Sequence, residues 1–183
     1  MRSAAGARAY GVLVGVLLMG GLSSPLAAQT DGDAESGFWI TGGLGGAIWT
    51  GGQAFASGDE AIALVGQLSY QAGHHLFSLR GGAAAELFSD GLLEVGLLYG
   101  RARPGAPRHG SISAGLAWVY TERCGGLFAS APCRSESTLG VPIVAEASFR
   151  AAFIGIGAQA FANINPTQSL VGIAVVLHLG DLD

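Results

Sequence analysis

The sequence predicts an all-β chain, an eight-stranded antiparallel up-and-down transmembrane β-barrel. After an N-terminal leader, eight segments of strand character alternate with turn signals. Within these segments, large apolar residues alternate with small or polar residues at a period of two, as in strands with two different faces. No uncharged apolar run reaches the ~20 residues that a membrane-spanning helix requires. Eight is also the even number of strands that closes the smallest membrane barrels.

The first 28 residues are predicted to be a signal peptide. Arg2 and Arg8 give a positive start, an apolar stretch of about a dozen residues follows, and the small-residue run "SSPLAAQT" supplies a cleavage site. Cleavage after Ala28 leaves 183 − 28 = 155 residues, the length of one domain. We expect residues 29–36 to form a flexible lead-in and residues 37–183 to form the barrel domain.

The composition fits an exported membrane protein. The chain has 31 glycines, 50% hydrophobic residues and only 12% charged residues, and it contains no lysine. Without Arg2 and Arg8, seven arginines (9 − 2) face 13 acidic residues, which gives a net charge of 7 − 13 = −6. Nothing basic and extended suggests nucleic acid as a partner.

Turn and loop segments separate the predicted strands. The first comes after the polar segment "QTDGDAES", and "TGGQAFASGD", "AGHH", "FSDG" and "RARPGAPRHG" separate the next four. A loop with two cysteines precedes the sixth strand, an almost absent turn at Arg150–Ala151 precedes the seventh, and "NINPTQ" precedes the eighth. The predicted bounds are 37–49, 60–71, 75–87, 92–101, 110–121, 137–149, 152–162 and 169–179.

The alternation also predicts which face meets lipid. In the fourth strand Leu93, Leu97 and Tyr99 share one face and Glu94 lies on the other. A soluble lipocalin-like barrel would need charged residues outside. Here the non-apolar face is mostly Gly, Ala and Ser, with too little charge for a water-facing exterior. We therefore expect lipid outside and a narrow polar lumen inside.

Five charged residues are predicted to face this lumen. Glu86 and Glu94 flank "FSDG" on the same side of a hairpin, so we expect their carboxylates to be near neighbours. One hypothesis is a salt-bridge network that fills the barrel, and the other is a gate or proton path. The first is favoured because eight strands leave no open water channel. The predicted lumen charge network is Arg80, Glu86, Glu94, Glu146 and Arg150.

The loop before the sixth strand contains Cys124 and Cys133, separated by "GGLFASAP". In an oxidising compartment this pair is predicted to form a disulfide that closes the loop. Arg123 and Arg134 flank it and could contact lipopolysaccharide phosphates, since the arginine fork matches phosphate oxygens. The alternative is that both are ordinary solvated loop arginines.

The segments "GVPIVAEASF" and "FIGIGAQAFANINPTQSLVGIAVVLHLG" resemble the last hairpins of the small outer-membrane β-barrel proteins of Gram-negative bacteria, the eight-stranded OmpA-like and OmpX-like group. The resemblance covers nearly all of residues 37–180. It implies an outer-membrane location, both termini in the periplasm, insertion by the barrel-assembly machinery, and contact with membrane lipid and lipopolysaccharide. Surface ligands would bind through the loops at 50–59 and 122–136. The chain departs from the group in its end, "VVLHLGDLD", which lacks a terminal aromatic, and in "RARPGAPRHG", which is long for a periplasmic turn.

A hydrolase is the alternative function. "RHGSIS" places His109 two residues before Ser111, with Glu122 further on, and this is similar to the His-x-Ser pair and later Glu of an outer-membrane lipid A deacylase family. On one continuous strand, however, Glu122 would lie more than ~35 Å from His109, at ~3.3 Å per residue. We therefore predict a non-enzymatic structural or surface-interaction role.

The four histidines do not predict a metal site. His74, His75, His109 and His178 could share one end of the barrel, but a metal site needs three or four converging ligands. No metal and no cofactor is predicted. A soluble lipocalin-like carrier remains the third functional alternative.

Overall fold

The computed structural model describes residues 36–50, 60–86, 90–103, 108–123, 133–151 and 153–181. Its strands form one closed antiparallel barrel in which each strand pairs with the next and the last pairs with the first. The predicted fold class is confirmed. The predicted signal peptide and residues 29–35 of the predicted lead-in lie outside the described residues, and Ser36 is the first residue of β1. The strands are β1 (Ser36–Trp49), β2 (Glu60–Ala72), β3 (His75–Ala85), β4 (Gly91–Arg103), β5 (Arg108–Arg123), β6 (Arg134–Ala151), β7 (Ile154–Ile164) and β8 (Leu170–Asp181).

The two ends of the barrel differ. We call the end with Ser36 and Asp181 the terminal end, and the opposite end, where 51–59 and 165–169 connect strands, the loop end. At the terminal end β2 and β3 are joined by the turn Gly73–His74. Gly73 has φ of 58°, in the left-handed region that glycine adopts without steric cost.

The β4–β5 connection is shorter than the sequence suggested. Arg103 pairs with Gly110, so most of "RARPGAPRHG" belongs to strands and only residues 104–107 lie between them. The interpretation of this segment as a long turn was wrong because the ladder continues through its arginines. At the loop end, β5 and β6 pair as far as Arg123 and Arg134, whereas β7 reaches only Val141 of β6. The β5–β6 hairpin therefore rises above β7.

Large apolar side chains cover the outside of the barrel. Leu97 is 70% exposed and Leu139 is 68% exposed, and similar residues stand on all eight strands. This confirms the predicted outward direction of the apolar faces. An apolar surface that surrounds the barrel is the reverse of a lipocalin-like carrier, whose exterior meets water. Within the described residues, no helix has the length and apolar character needed to cross a membrane.

The inside of the barrel contains two apolar clusters. At the terminal end Trp39, Leu76 and Ala102 pack together, and the His109 ring meets Trp39 edge-on with centroids 5.2 Å apart. A larger apolar cluster fills much of the interior towards the loop end and includes Trp49, Phe161 and Leu170. Buried polar side chains also lie within this interior, and those of six strands form a connected network.

Candidate functional site

The centre of the lumen is occupied by an ion pair between neighbouring strands. Arg80 on β3 donates from Nε to Oε1 of Glu94 on β4 at 2.6 Å. The same guanidinium donates from Nη1 to Oε1 of Gln159, across the barrel on β7, at 2.7 Å. It also lies 5.1 Å from the centroid of the Phe161 ring, within the range of a cation–π contact. Arg80 therefore ties β3 to β4 and to the opposite wall.

Gln159 extends the network towards the terminal end. Its Nε2 donates to Oε2 of Glu146 at 3.0 Å. The other carboxylate oxygen of Glu146 lies 3.7 Å from Nε2 of His178. Nδ1 of His178 is in turn hydrogen-bonded to the hydroxyl of Thr41 at 3.1 Å. These contacts connect β6, β7, β8 and β1 through buried side chains.

Asn163 extends the network towards the loop end. Its Nδ2 donates to Oε2 of Glu94 at 2.6 Å, and its Oδ1 accepts from Nδ2 of Asn165 at 2.9 Å. Asn165 Oδ1 accepts from the backbone N–H groups of Thr167 and Gln168, which shapes the 165–169 turn. The lumen network consists of Thr41, Arg80, Glu94, Glu146, Gln159, Asn163, Asn165 and His178.

The structure brings together three of the five residues predicted for this network, namely Arg80, Glu94 and Glu146. Glu86 lies apart from them at the loop end, where its carboxylate accepts a hydrogen bond from Trp49 Nε1. The β3–β4 register places Glu94 opposite Gly82, and the backbone N–H of Glu86 bonds the carbonyl of Asp90. Glu86 and Glu94 are thus separated by about four residues along the ladder, ~13 Å. The expectation that they are near neighbours is wrong.

Arg150, the fifth predicted residue, pairs with Gly155 in the β6–β7 ladder. Its side chain is not among those that the structure describes, so its place in the lumen stays a prediction.

Gly82 makes room for the central ion pair. A Cβ atom built there would lie 2.9 Å from both Cγ and Oε1 of Glu94. Since Glu94 is held by Arg80 on one oxygen and Asn163 on the other, it has little freedom to move away. The glycine is therefore part of the site although it contributes no side chain.

Sequence reasoning missed five network members: Thr41, Gln159, Asn163, Asn165 and His178. A signal was present: Gln159 and Asn163 fall on the inward face of β7 by the same alternation that identifies Glu146 on β6. The alternation gives a direction for each side chain but no partner. The partner across the lumen depends on barrel closure and register, which single strands do not encode.

At the loop end Arg123 and Arg134 stand opposite each other where the β5–β6 hairpin leaves the barrel. Both side chains are exposed, and Arg123 donates from Nη2 to the carbonyl of Thr167. The predicted disulfide involves Cys124, which lies outside the described residues, so the bridge to Cys133 stays a prediction. Cys133 itself is exposed and directly precedes β6.

The hydrolase residues do not converge. Ser111 pairs with Ala102 and Glu146, whereas Glu122 pairs with Gly91 at the other end of β5. His109 faces the lumen against Trp39. A nucleophile, base and orienting acid must lie within hydrogen-bonding reach of one another, and these residues do not.

The four histidines are also dispersed. His75 points outward and is hydrogen-bonded through Nδ1 to the Tyr99 hydroxyl at 2.7 Å, while His109 and His178 are buried inside. Among the residues that the structure describes, no group of three His, Cys, Asp or Glu residues is placed to hold a metal ion.

Comparison with known proteins shows the fold. The barrel is similar to Neisserial surface protein A (TM-score 0.62, 10% identity, 78% of this chain and 96% of that chain). It is also similar to Ail, the attachment invasion locus protein of Yersinia pestis (TM-score 0.59, 10% identity, 80% and 99%). The N-terminal β-barrel domain of Pseudomonas aeruginosa OprF gives a TM-score of 0.56 at 14% identity (79% and 97%).

All three are eight-stranded outer-membrane β-barrels, and this chain shares their fold. No protein-family model matches the sequence, and a search of curated proteins gave no match.

Proposed function

We propose that this protein is an exported, non-enzymatic outer-membrane β-barrel that acts as a structural or surface-interaction module. The observation that carries the proposal is the apolar exterior, which runs around all eight strands. Such a surface is stable only in contact with lipid, and a closed barrel satisfies the backbone hydrogen bonds that lipid cannot. Delivery by the signal peptide and insertion by the barrel-assembly machinery belong to the same proposal.

The lumen serves as a structural core in this proposal rather than as a pore. The hydrogen-bonded network from Thr41 to Asn165 and the cluster around Trp39 occupy successive levels of the interior. Buried charges that are paired and hydrogen-bonded can act as filling in this way. In this proposal the ion pair and its neighbours keep the strands at a fixed distance across the barrel, and the lumen does not conduct ions.

The loop end is the proposed interaction surface. The exposed guanidinium groups of Arg123 and Arg134 can present forked donors to lipopolysaccharide phosphates, with the bridge between Cys124 and Cys133 ordering the loop between them. Ail has been crystallised with the heparin analogue sucrose octasulfate, a polyanionic sugar. That complex concerns Ail alone, but it gives an example of a barrel of this fold in contact with an anionic saccharide.

The location is tested by cell fractionation and heat-modifiable gel mobility. We expect the protein in the outer-membrane fraction, with different mobility before and after boiling. Recovery from the periplasm without detergent, with identical mobility of both samples, would overturn the proposal.

The ligand is tested by lipopolysaccharide binding to the folded full chain in micelles. Arg123→Gln/Arg134→Gln should lower the affinity for lipopolysaccharide and make that affinity less dependent on salt concentration. Glu122→Gln should change neither. Equal affinity of the arginine variant and the wild type would show that these are solvated loop residues only.

The non-enzymatic part is tested by mass spectrometry of lipid A from cells with and without the protein, and with Ser111→Ala. We expect the same acyl pattern in all three. A change that depends on Ser111 would replace the proposal by a lipid A hydrolase.

A further inference from the structure

The turn of residues 165–169, which joins β7 to β8 at the loop end, is organised by the buried side chain of Asn165. Its Oδ1 accepts hydrogen bonds from the N–H and the hydroxyl of Thr167, at 3.0 and 2.7 Å, and from the N–H of Gln168 at 2.7 Å. Its Nδ2 donates to the carbonyl of Gln168 at 2.8 Å. An asparagine that bonds the backbone just after it defines the path of a turn. One side chain therefore holds the backbone around Thr167.

This turn is also tied to the barrel wall near both of its ends. Asn165 Nδ2 donates to Oδ1 of Asn163 at 2.9 Å, and Asn163 donates in turn to Glu94 of the central ion pair. At the other end, the carbonyl of Ser169 accepts from the N–H of Thr50, directly after β1, at 2.7 Å. The Ser169 hydroxyl closes the turn by bonding the carbonyl and the N–H of Asn165 at 2.9 and 3.0 Å. The turn therefore has a fixed position relative to the lumen network and to β1.

The β5–β6 hairpin is joined to this turn through Arg123. The β6–β7 ladder reaches only Val141, so the contact lies beyond the end of that ladder. Arg123 donates from Nη2 to the carbonyl of Thr167, the residue whose backbone Asn165 holds. An exposed arginine side chain has many rotamers, and a fixed carbonyl acceptor favours those that reach it. Because a guanidinium has five N–H donors, one contact to a carbonyl is compatible with a forked contact to a phosphate.

We infer that Asn165 is a positioning residue for anion binding at the loop end. Through the turn it holds the Thr167 carbonyl, and through that carbonyl it holds the Arg123 guanidinium in the orientation that binds a lipopolysaccharide phosphate. This inference deepens the proposed function and rests on the Arg123 contact proposed there. Asn165 itself does not touch the ligand.

The physical basis is the ordering of a long side chain before the ligand arrives. A ligand that must immobilise a flexible arginine loses part of its binding free energy to that ordering. The Thr167 carbonyl orders Arg123 in advance, and it can do so only while the backbone of the turn is fixed. Asn165 is the side chain with hydrogen bonds to both Thr167 and Asn163, so it connects the position of the turn to the lumen network. Its loss should therefore lower affinity through Arg123 and not through the ligand contact itself.

The test is a double-mutant cycle on lipopolysaccharide binding to the folded full chain in micelles. The affinity of purified lipopolysaccharide is measured for wild type, Asn165→Ala, Arg123→Gln and the double variant. Asn165→Ala should lower the affinity about 2- to 10-fold, the effect of one long side chain that is no longer ordered in advance. In the Arg123→Gln background, Asn165→Ala should have no further effect, since there is no guanidinium left to position. Losses that multiply in the double variant would overturn the inference, because they would show that Asn165 acts independently of Arg123.

Gln71 provides a matched control at the other end of the barrel. Its Nε2 donates to the carbonyl of Gly73 at 2.6 Å, so it too is a side chain that holds the backbone of a turn. Gln71→Ala should loosen the β2–β3 turn and keep the wild-type affinity for lipopolysaccharide. An equal loss of affinity in Gln71→Ala and Asn165→Ala would overturn the inference, because general loosening of the barrel would then explain both.

The single variants separate the inference from the proposed function. Wild-type affinity in Asn165→Ala, together with a loss in Arg123→Gln, would overturn the inference and leave the proposed phosphate contact standing. Wild-type affinity in Arg123→Gln would overturn that contact and the inference with it. If heat-modifiable mobility shows that Asn165→Ala does not fold, Thr167→Gly takes its place, because it loosens the residue that carries the carbonyl and keeps Asn165. It should lower the affinity in the wild-type background only, and an unchanged affinity would count against the inference.

Discussion

Arg80 and Glu94 form a buried ion pair inside the barrel, with Nε and Oε1 2.6 Å apart and side chains only 1% and 5% exposed. Each partner has a second, different bond to β7 on the opposite wall: Arg80 to Gln159, and Glu94 to Asn163. The pair is thus the junction of the lumen network, and each charge has a partner of opposite sign and a further hydrogen bond. Such a junction is stable as a unit and sensitive to the loss of one member.

Glu94→Ala is expected to destabilise the barrel strongly. The substitution leaves the Arg80 guanidinium buried without its ionic partner and the Asn163 amide without its acceptor. Breaking a buried ion pair in this way lowers the free energy of unfolding by about 3–5 kcal/mol. Urea unfolding of the protein in lipid vesicles, followed by tryptophan fluorescence, measures the change. The exposed Glu122→Ala should stay within about 0.5 kcal/mol of wild type.

The double variant Arg80→Met/Glu94→Leu separates the charge effect from packing. Because it removes both charges and keeps the volume, it should be clearly more stable than Glu94→Ala. If both variants lose the same free energy of unfolding, the ion pair does not act as a unit.

Gly82 and Gly81 form a matched pair for testing the space around the junction. A Cβ atom at Gly82 would lie 2.9 Å from Glu94 Cγ, whereas at Gly81 the nearest atom is 4.0 Å away. We expect Gly82→Ala to lower the free energy of unfolding by about 1–3 kcal/mol, the usual cost of overpacking, and Gly81→Ala to be near neutral. The same urea titration measures both. Equal stability of the two variants would show that Glu94 moves aside without loss.

The sequence predicts the faces of the strands better than it predicts their neighbours. Alternation alone places Glu94, Glu146 and Gln159 on the inner face, because one face must be apolar for lipid and the other need not be. The partnership of Arg80 with Gln159 joins residues 79 positions apart, and it depends on closure of β1 on β8. Glu86 shows the limit most directly: its position near the "FSDG" turn suggested proximity to Glu94, and the register places it elsewhere.

Boundaries at the ends of strands were also beyond the sequence signal. Arg103 and Arg108 looked like turn residues because charge and proline surround them, but the ladder carries on through both strands. Polar composition marks the end of the lipid-facing region, not the end of the hydrogen-bonded strand. This is why the true ends of β4 and β5 became visible only with the pairing known.

The bridge between Cys124 and Cys133 is open to a direct measurement. The intact oxidised protein should not react with a thiol-alkylating reagent, and reduction should allow two additions. Closing a loop of this length is worth roughly 2–3 kcal/mol on a chain-entropy model, so Cys124→Ser/Cys133→Ser should unfold at lower urea. Alkylation of the unreduced native protein would contradict the predicted bridge.

Leu97 tests whether the exterior faces lipid. It is 70% exposed and lies near the middle of β4, so Leu97→Arg would place a charge at mid-depth in the hydrocarbon layer. Folding into vesicles should then lose about 2–4 kcal/mol, while Ile62→Arg, near the loop end of β2, should lose only about 0–1 kcal/mol. The depth dependence is the decisive feature, because on a water-facing exterior an arginine is tolerated at both positions. Equal and small losses for the two variants would place the barrel exterior in water and remove the basis of the membrane assignment.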